Sequence, residues 1–244
     1  MSKSEAFNMD CMEGMKQYPD KYFDLAVVDP PYGDASSQSL KVEREREPDG
    51  VEPLRATIRP LQARLVDRTG GGWSRKYDPT NKKIIAWDVA PEKEYFDELF
   101  RISRNQIIWG GNYFALPPTR CFLIWEKTNV PQDFTMAMGE YAWTSFNGNA
   151  KIFSFSAVGQ VGRFHPTQKP PELYAWIFKN YAKPGYKILD THLGGGSSRI
   201  AAWDAGLDFT GYEIDEEYFR LQEERFAKHT AQTNLFLMEQ EELF

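Results

Sequence analysis

The stretch VVDPPYG, Val27 to Gly33, sets a carboxylate, two prolines and an aromatic ring directly after a run of buried-strand residues. Proline cannot donate to a sheet ladder, so the strand DLAVV, Asp24 to Val28, must stop where the prolines begin. Asp29, Pro30, Pro31 and Tyr32 then stand at a strand's C-terminal edge, which in an open α/β sheet is where ligands bind. A second stretch, Asp190-Thr191-His192-Leu193-Gly194-Gly195-Gly196-Ser197-Ser198, puts three glycines between a strand and a helix, where backbone can approach a ligand closely. Nineteen residues after Gly194, Glu213 closes the next strand, at the spacing of an acid that holds a ribose diol. Arg199 stands where a dinucleotide fingerprint has its third glycine, and no lysine follows as in a phosphate loop. A nucleoside without a phosphate chain fits better than NAD or ATP. A third stretch, His165-Pro166-Thr167-Gln168-Lys169-Pro170, leads into a helix and, taken alone, is equally a turn set by capping.

Together these residues resemble the DNA amino-methyltransferases that use S-adenosyl-L-methionine. DPPY at Asp29 to Tyr32 is similar to their catalytic motif, the Asp190 to Ser198 loop to their cofactor loop, and HPTQKP with its helix to their cofactor-contacting motif. The order, catalytic motif first and cofactor loop last, resembles the circularly permuted beta group, and Asp10 in NMDCMEG matches the acid which that group places upstream of the catalytic strand. The resemblance covers Asp10 to Gly33 and His165 to about Phe226. It implies an α/β, Rossmann-like class I methyltransferase fold: one domain over 1–244 with a doubly wound, mostly parallel seven-stranded sheet, an inserted basic segment over 34–81 and a target-recognition region over 114–163. Asp29, Pro30, Pro31 and Tyr32 would be catalytic. Asp10 would face the cofactor adenine, Glu213 the ribose hydroxyls, and Lys169 with Thr167 the methionine end. Cys11, Asp29, His165, Asp190, His192, Leu193, Gly194, Gly196, Ser197, Ser198 and Ile214 complete the implied cofactor site. His192 departs from the family, which usually has phenylalanine there.

The implied reaction accounts for the motif. An adenine 6-amino nitrogen is a poor nucleophile because its lone pair is delocalised into the ring. Two acceptors that take both amino hydrogens favour the pyramidal form, and the Asp29 carboxylate with the Pro30 carbonyl can be that pair, aimed by the prolines. Tyr32 can stack on the base. A base inside a duplex must first be flipped out. The expected activity is site-specific DNA adenine N6 methylation. Cytosine N4 methylation is the nearest rival, and the family's cytosine enzymes more often carry serine at the Asp29 position. RNA or protein amide methylation, where relatives tend to carry asparagine, and a non-catalytic DNA-binding protein of the same fold are the remaining readings.

These residues need a scaffold, and the rest of the chain supplies its outline. A strand near Glu5 to Phe7, a short helix Cys11 to Gln17 and DLAVV come first. After a polar stretch, PEKEYFDELFRISR shows a helix face at Tyr95, Leu99 and Ile102, and QIIWGG and CFLIWE read as buried strands. EYAWTSF and KIFSF, joined through Asn147-Gly148, read as a hairpin. The helix PELYAWIFKNYAKPG, the strand KILD, the helix SRIAAWDAG, the strand FTGYEI and the helix DEEYFRLQEERFAKH make the last quarter a β-α-β unit with a parallel sheet.

At 244 residues with 41% hydrophobic content and 15% aromatics, the chain can bury a substantial core. No apolar run reaches the roughly 18 residues of a membrane span, and MSKSEAFNMD lacks a signal peptide's apolar stretch, so no membrane partner and a cytoplasmic location, in a bacterial or phage-infected cell, are expected. The two cysteines, Cys11 and Cys121, make no disulfide framework, and His165, His192 and His229 show no metal-ligand spacing. Net charge is −6, yet Arg55 to Lys83 holds eight basic residues against two acids, leaving the remainder at −12. Local basicity on an acidic body fits phosphate contact on one face, with Arg55, Arg59, Arg64, Arg68, Arg75 and Lys76 the candidate contacts to double-stranded DNA, or simply a solvated charged loop. A homodimer and a separate cognate restriction endonuclease are the other partners the resemblance implies.

Overall fold

The computed structural model describes residues 2–32, 89–130, 137–156, 163–165 and 167–241, the last nine by backbone only. Gly33, the basic segment with Arg55, Arg59, Arg64, Arg68, Arg75 and Lys76, Pro166 and parts of the 114–163 region lie outside the described residues. The chain divides into two units, 1–30 with 92–244 and 31–91, and the first carries the sheet, its helices and the glycine loop.

The elements of that unit are β1 (Ser4–Asn8), α1 (Cys11–Met15), β2 (Phe23–Val28), α2 (Lys93–Ile102), β3 (Ser103–Trp109), β4 (Phe122–Lys127), β5 (Gly139–Thr144), β6 (Lys151–Phe155), α3 (Pro171–Tyr181), β7 (Lys187–Asp190), α4 (Ser197–Asp204), β8 (Asp208–Glu213) and α5 (Glu216–Glu241). They build one sheet in the order β1-β8-β7-β2-β3-β5-β4-β6, with eight strands instead of the seven expected. The five strands from β1 to β3 run parallel, β5 is antiparallel to both β3 and β4, and β6 is parallel to β4.

Side chains alternate between the faces of a strand, and two separate cores show the result. Leu25 and Val27 of β2, Ile107 and Trp109 of β3, Ile188 and Phe209 face α3 and α4, packing with Leu173, Ile177, Ala201 and Ala202. Ala26, Val28, Ile108, Leu189 and Tyr212 face the other way, against Met15 of α1 and Tyr95, Phe96, Leu99 and Ile102 of α2. Strands covered on both faces read as continuous apolar runs, which is why DLAVV is recognisable as a central strand.

The expected β5–β6 hairpin does not form, because β4 lies between the two strands. The Asn147-Gly148 connection crosses the start of β4, where Arg120 Nη2 donates to Asn149 Oδ1 at 2.7 Å and Thr144 Oγ1 to the Cys121 carbonyl at 2.5 Å. Leu123 and Trp125 of β4 are buried in the core, whereas β6 is half-exposed and takes the edge. Solvent exposure, invisible in an alternating sequence pattern, decides which strand sits inside.

Because β1, β8, β7, β2 and β3 are parallel, Asn8, Glu213, Asp190, Val28 and Trp109 all end at one edge. That edge receives every sequence motif that the first unit carries.

Candidate active site

Asp29 follows the last residue of β2, and Pro30 behind it is buried. The Lys169 ammonium donates to Asp29 Oδ2, although 140 residues separate the two in sequence. Lys169 is 4% exposed and also lies 3.1 Å from Glu140 Oε2, while Glu140 Oε1 is 2.5 Å from Lys127 Nζ. Burial alone would push the Glu140 carboxyl up, but the two lysines outweigh it and hold the group at about 2. Burial likewise disfavours the Lys169 ammonium, and Asp29 and Glu140 reverse that effect, leaving it raised above the ordinary lysine value. Glu140 and Lys169 therefore both stay charged at neutral pH. The Lys169 ammonium sits 5.2 Å from the centroid of the Trp109 ring. Pro31 and Tyr32 open the second unit.

The loop after β7 is built around Asp190. Its Oδ2 accepts from Ser198 Oγ at 2.5 Å and its Oδ1 from the His192 backbone N–H at 3.0 Å. Burial pushes this carboxyl up to about 7 against the effect of those two bonds, with the negative charges of Asp29 and Glu213 adding to the rise. Gly194 and Gly196 adopt φ of 51° and 71°, which an L side chain rarely does. A Cβ on Gly195 would lie 2.4 Å from Gln168 Oε1, so the HPTQKP turn and the glycine loop are in direct contact. Arg225 of α5 donates to the Gly195 carbonyl and, at 3.0 Å, to Ser197 Oγ, fixing the loop from outside.

Glu213 ends β8. Its Oε2 accepts from the Gly194 N–H at 2.8 Å and its Oε1 from the Asp215 N–H at 2.9 Å, so the carboxylate is locked to the glycine loop. Burial raises its pKa, and those backbone bonds oppose the rise. Ile214 beside it is 63% exposed. Asp10, one strand further out, caps α1 by accepting from the Met12 N–H at 2.7 Å. Burial pushes the Cys11 thiol up to about 12, so it is no nucleophile at neutral pH. His192 and His165 are both lowered to about 4 by burial and are neutral. Thr191 Oγ1 links His192 Nδ1, at 2.9 Å, to the Tyr95 hydroxyl, at 2.6 Å.

The structure thus brings Asp29, Lys169, Asp190, His192, Gly194, Gly196, Glu213 and Asp10 to neighbouring strand ends. Leu193, Ser197 and Ser198 are buried, with Leu193 packed against Gly211 and Ser198 bonded to Asp190, so they shape the loop from below. Thr167 is exposed and its Oγ1 lies 3.3 Å from His165 Nδ1, whereas Lys169 turns to the two carboxylates. An acid at the end of a strand, backed by a glycine loop, suits a nucleoside diol, and a carboxylate beside an ammonium suits the orientation of a polar hydrogen.

A family model described as DNA methylase matches residues 108–224. Across most of its length the chain is similar to the Escherichia coli (strain K12) protein "Putative methylase YubD", with 22% identity covering 89% of this chain and 88% of that one. Two solved structures share the fold: a "Putative DNA Modification Methylase" of Thermus thermophilus in complex with S-adenosyl-L-methionine, at 16% identity, 94% coverage of each chain and a TM-score of 0.52, and the PvuII cytosine-N4-specific DNA methyltransferase, at 12% identity, 96% and 93% coverage and a TM-score of 0.52. Each of these matches is to a methylase or DNA methyltransferase.

The fold is the Rossmann-like methyltransferase fold with an eight-stranded mixed sheet. Within this methyltransferase architecture, sequence reasoning missed Glu140, Lys127, Trp109 and Arg225. A signal for the first two exists. Glu140 shares a β5 face with fully buried Ala142 and Thr144, and Lys127 shares a β4 face with Leu123 and Trp125. Opposite charges at inward positions of neighbouring strands point to a buried pair. Among the described residues no helix is long and apolar enough to cross a membrane, and no group of three His, Cys, Asp or Glu could hold a metal ion.

Proposed function

We propose that the chain is a site-specific DNA adenine N6-methyltransferase using S-adenosyl-L-methionine, with Asp29 and the Pro30 carbonyl as the acceptors of the target amino hydrogens. The observation that carries this reading is the meeting of two motifs at adjacent strand ends. Asp29, its Oδ2 held by Lys169, follows β2, and the Asp190 loop follows β7, which pairs with β2 through Ala26 and Leu189.

The residues present fit the cofactor. Glu213 has each oxygen oriented by one backbone N–H, which leaves further acceptor capacity on each for a ribose diol. Exposed Ile214 offers apolar surface to an adenine ring, and the glycines at positive φ let backbone approach it. When bound, S-adenosyl-L-methionine supplies a methyl on a sulfonium, already an activated leaving group. Positioning then carries the catalysis. Pro30 limits the turn after β2, Lys169 anchors the carboxylate, and together they aim two acceptors at one amino nitrogen. Tyr32 would stack on the flipped base, and the basic residues Arg55 to Lys76 would contact DNA phosphates.

Cytosine N4 methylation is the second reading, favoured by the fold shared with a cytosine-N4-specific enzyme. Aspartate rather than serine at position 29 favours adenine. The deciding experiment is transfer of a labelled methyl to unmethylated bacterial DNA by the wild type and Asp29→Ala, with nucleoside analysis of the product. N6-methyladenine from the wild type alone supports the proposal. N4-methylcytosine overturns the base assignment, and tight cofactor binding with no product overturns the activity.

A further inference from the structure

Three charges behind Asp29, two of them on buried lysines and one on the half-buried Glu140, go beyond what an acceptor needs. Lys127 lies at the end of β4, Glu140 in β5, Lys169 ahead of α3, and Asp29 after β2, so four separate elements deliver one chain of alternating sign. Its links are Lys127 to Glu140 at 2.5 Å, Glu140 to Lys169 at 3.1 Å, and Lys169 to Asp29. The side chains of Lys127 and Lys169 are 8% and 3% exposed, and each ammonium also lies close to a tryptophan ring, Trp125 and Trp109. Burying ions in this number is expensive unless every one is compensated, and the sum of the four charges is zero.

A lysine alone would suffice to anchor Asp29. The second carboxylate changes what that lysine does. An ammonium has three donors, so Lys169 bonds to Asp29 and still offers Glu140 a contact at 3.1 Å, and its positive charge is divided between the two carboxylates. An Asp29 carboxylate that surrendered its charge to a private ammonium would be a weaker acceptor for an amino hydrogen. Shared between two carboxylates, the same ammonium orients Asp29 and leaves it more of its charge.

We propose that Glu140, itself held by Lys127, is a positioning residue for methyl transfer: it shares Lys169 with Asp29 and so sets both the orientation and the acceptor strength of the Asp29 carboxylate. The inference rests on Asp29 being the acceptor for the target amino group. The chain is an electrostatic support and not a proton relay, since Glu140 and Lys169 both keep their charge through the neutral range.

The test compares wild type, Glu140→Gln, Lys127→Met and the double variant Glu140→Gln/Lys127→Met, reading single-turnover methyl transfer with cofactor and DNA saturating, the dissociation constant for S-adenosyl-L-methionine, and thermal unfolding. The double variant removes one charge of each sign, so it keeps a balanced interior even where a single variant fails to fold. Glu140→Gln and the double variant should both lose about 10–100-fold in transfer rate, with cofactor affinity within about threefold of wild type. Glu140→Asp should regain part of the rate. A double variant that transfers at the wild-type rate would show that the pair only stabilises the fold, and overturn the proposal. So would an unchanged rate with weakened cofactor binding, which would assign Lys169 and its partners to the cofactor. A wild type that binds cofactor and methylates no DNA fails at the underlying reading of Asp29, and is told apart by that control.

Discussion

Ser198 Oγ donates to Asp190 Oδ2 at 2.5 Å, and Asp190 is 2% exposed at the start of the glycine loop. Burial lifts Asp190 from its ordinary 3.8 to about 7, beyond what the bonds from Ser198 and His192 can reverse. The sign follows directly. Between those two values the folded chain binds a proton that the unfolded chain has released, so this group's contribution to stability is full below 3.8 and is lost as pH rises through about 7. A cationic ligand facing the loop needs the ionised form, so its affinity should move the other way. The dissociation constant for S-adenosyl-L-methionine should tighten by about tenfold from pH 6 to pH 8. His165 and His192, both near 4, stay neutral across that span, and Asp190→Asn separates the effect from that of Glu213, whose carboxyl is also raised. Equal affinity of the wild type at the two pH values would refute the assignment.

Gly195 and Gln168 are mutually exclusive with any larger pair. A Cβ on Gly195 would meet Gln168 Oε1 at 2.4 Å and Cδ at 2.7 Å. The Gln168 amide is 5% exposed, and neither its Nε2 nor its Oε1 has a hydrogen-bond partner among the described residues. Gly195→Ala should therefore cost about 1–3 kcal/mol by overpacking, read as a lower denaturation midpoint. Gln168→Ala should cost little in folding, since it removes buried amide atoms that make no bond. Combining the two should recover most of the loss. A double variant as unstable as Gly195→Ala alone would place the strain elsewhere in the loop.

Arg199 occupies the place of a third glycine, and the structure gives the reason for a long cation there. Its Nη1 bonds to Gln222 Oε1 at 3.1 Å and Glu223 Oε1 at 2.5 Å, its Nε bonds to Ser4 Oγ at 3.1 Å, and its Cζ lies 3.9 Å from the Phe226 ring centroid. One side chain ties α4 to α5 and to β1. Arg199→Met keeps the apolar stem and abandons buried Gln222, so it should lower stability by roughly 2–4 kcal/mol. For a chain of this size that is a fall of about 5–15 °C in Tm by calorimetry. Arg199→Lys should fall between the two, because an ammonium cannot span the same three acceptors. A Tm within a degree of wild type for Arg199→Met would show the network to be ornamental.

The sequence made the edge of the sheet legible and left the support beneath it hidden. Proline at 30 and 31 marks where β2 must end, and the spacing from Gly194 to Glu213 is that of one helix and one strand, so both strand-end features can be read without coordinates. Lys169 cannot be placed that way, because its partners Asp29 and Glu140 come from elements distant in the chain. Glu140 and Lys127 escape notice since charged residues in short strands are usually solvated, and only their register on faces shared with Ala142 and Leu123 marks them as inward. The β5–β6 pairing fails for a related reason. Two alternating strands joined through Asn-Gly satisfy the local rule, and a third strand outcompetes the pairing through burial that only the assembled sheet supplies. The final helix likewise runs to Glu241, past the periodic stretch that ends near His229.

His192 stands where the family that the sequence resembles usually carries phenylalanine, and its surroundings predict that the exchange is mild. The ring packs edge-on to Tyr95 at 5.5 Å, a contact that a phenyl ring makes equally well. Its Nδ1 shares Thr191 Oγ1, yet that hydroxyl keeps the Tyr95 hydroxyl at 2.6 Å when the imidazole is gone. Burial lowers the imidazole to about 4, outweighing the opposite pull of Asp10, so no positive charge is lost at neutral pH. His192→Phe should therefore fold within about 1 kcal/mol of wild type and bind S-adenosyl-L-methionine within about threefold, with no change in the pH profile between 6 and 8. Scanning calorimetry reads the stability and calorimetric titration the affinity. A tenfold weaker affinity at unchanged stability would mean that an imidazole nitrogen, not the face of the ring, meets the cofactor, and that this chain has exchanged a stacking contact for a hydrogen bond.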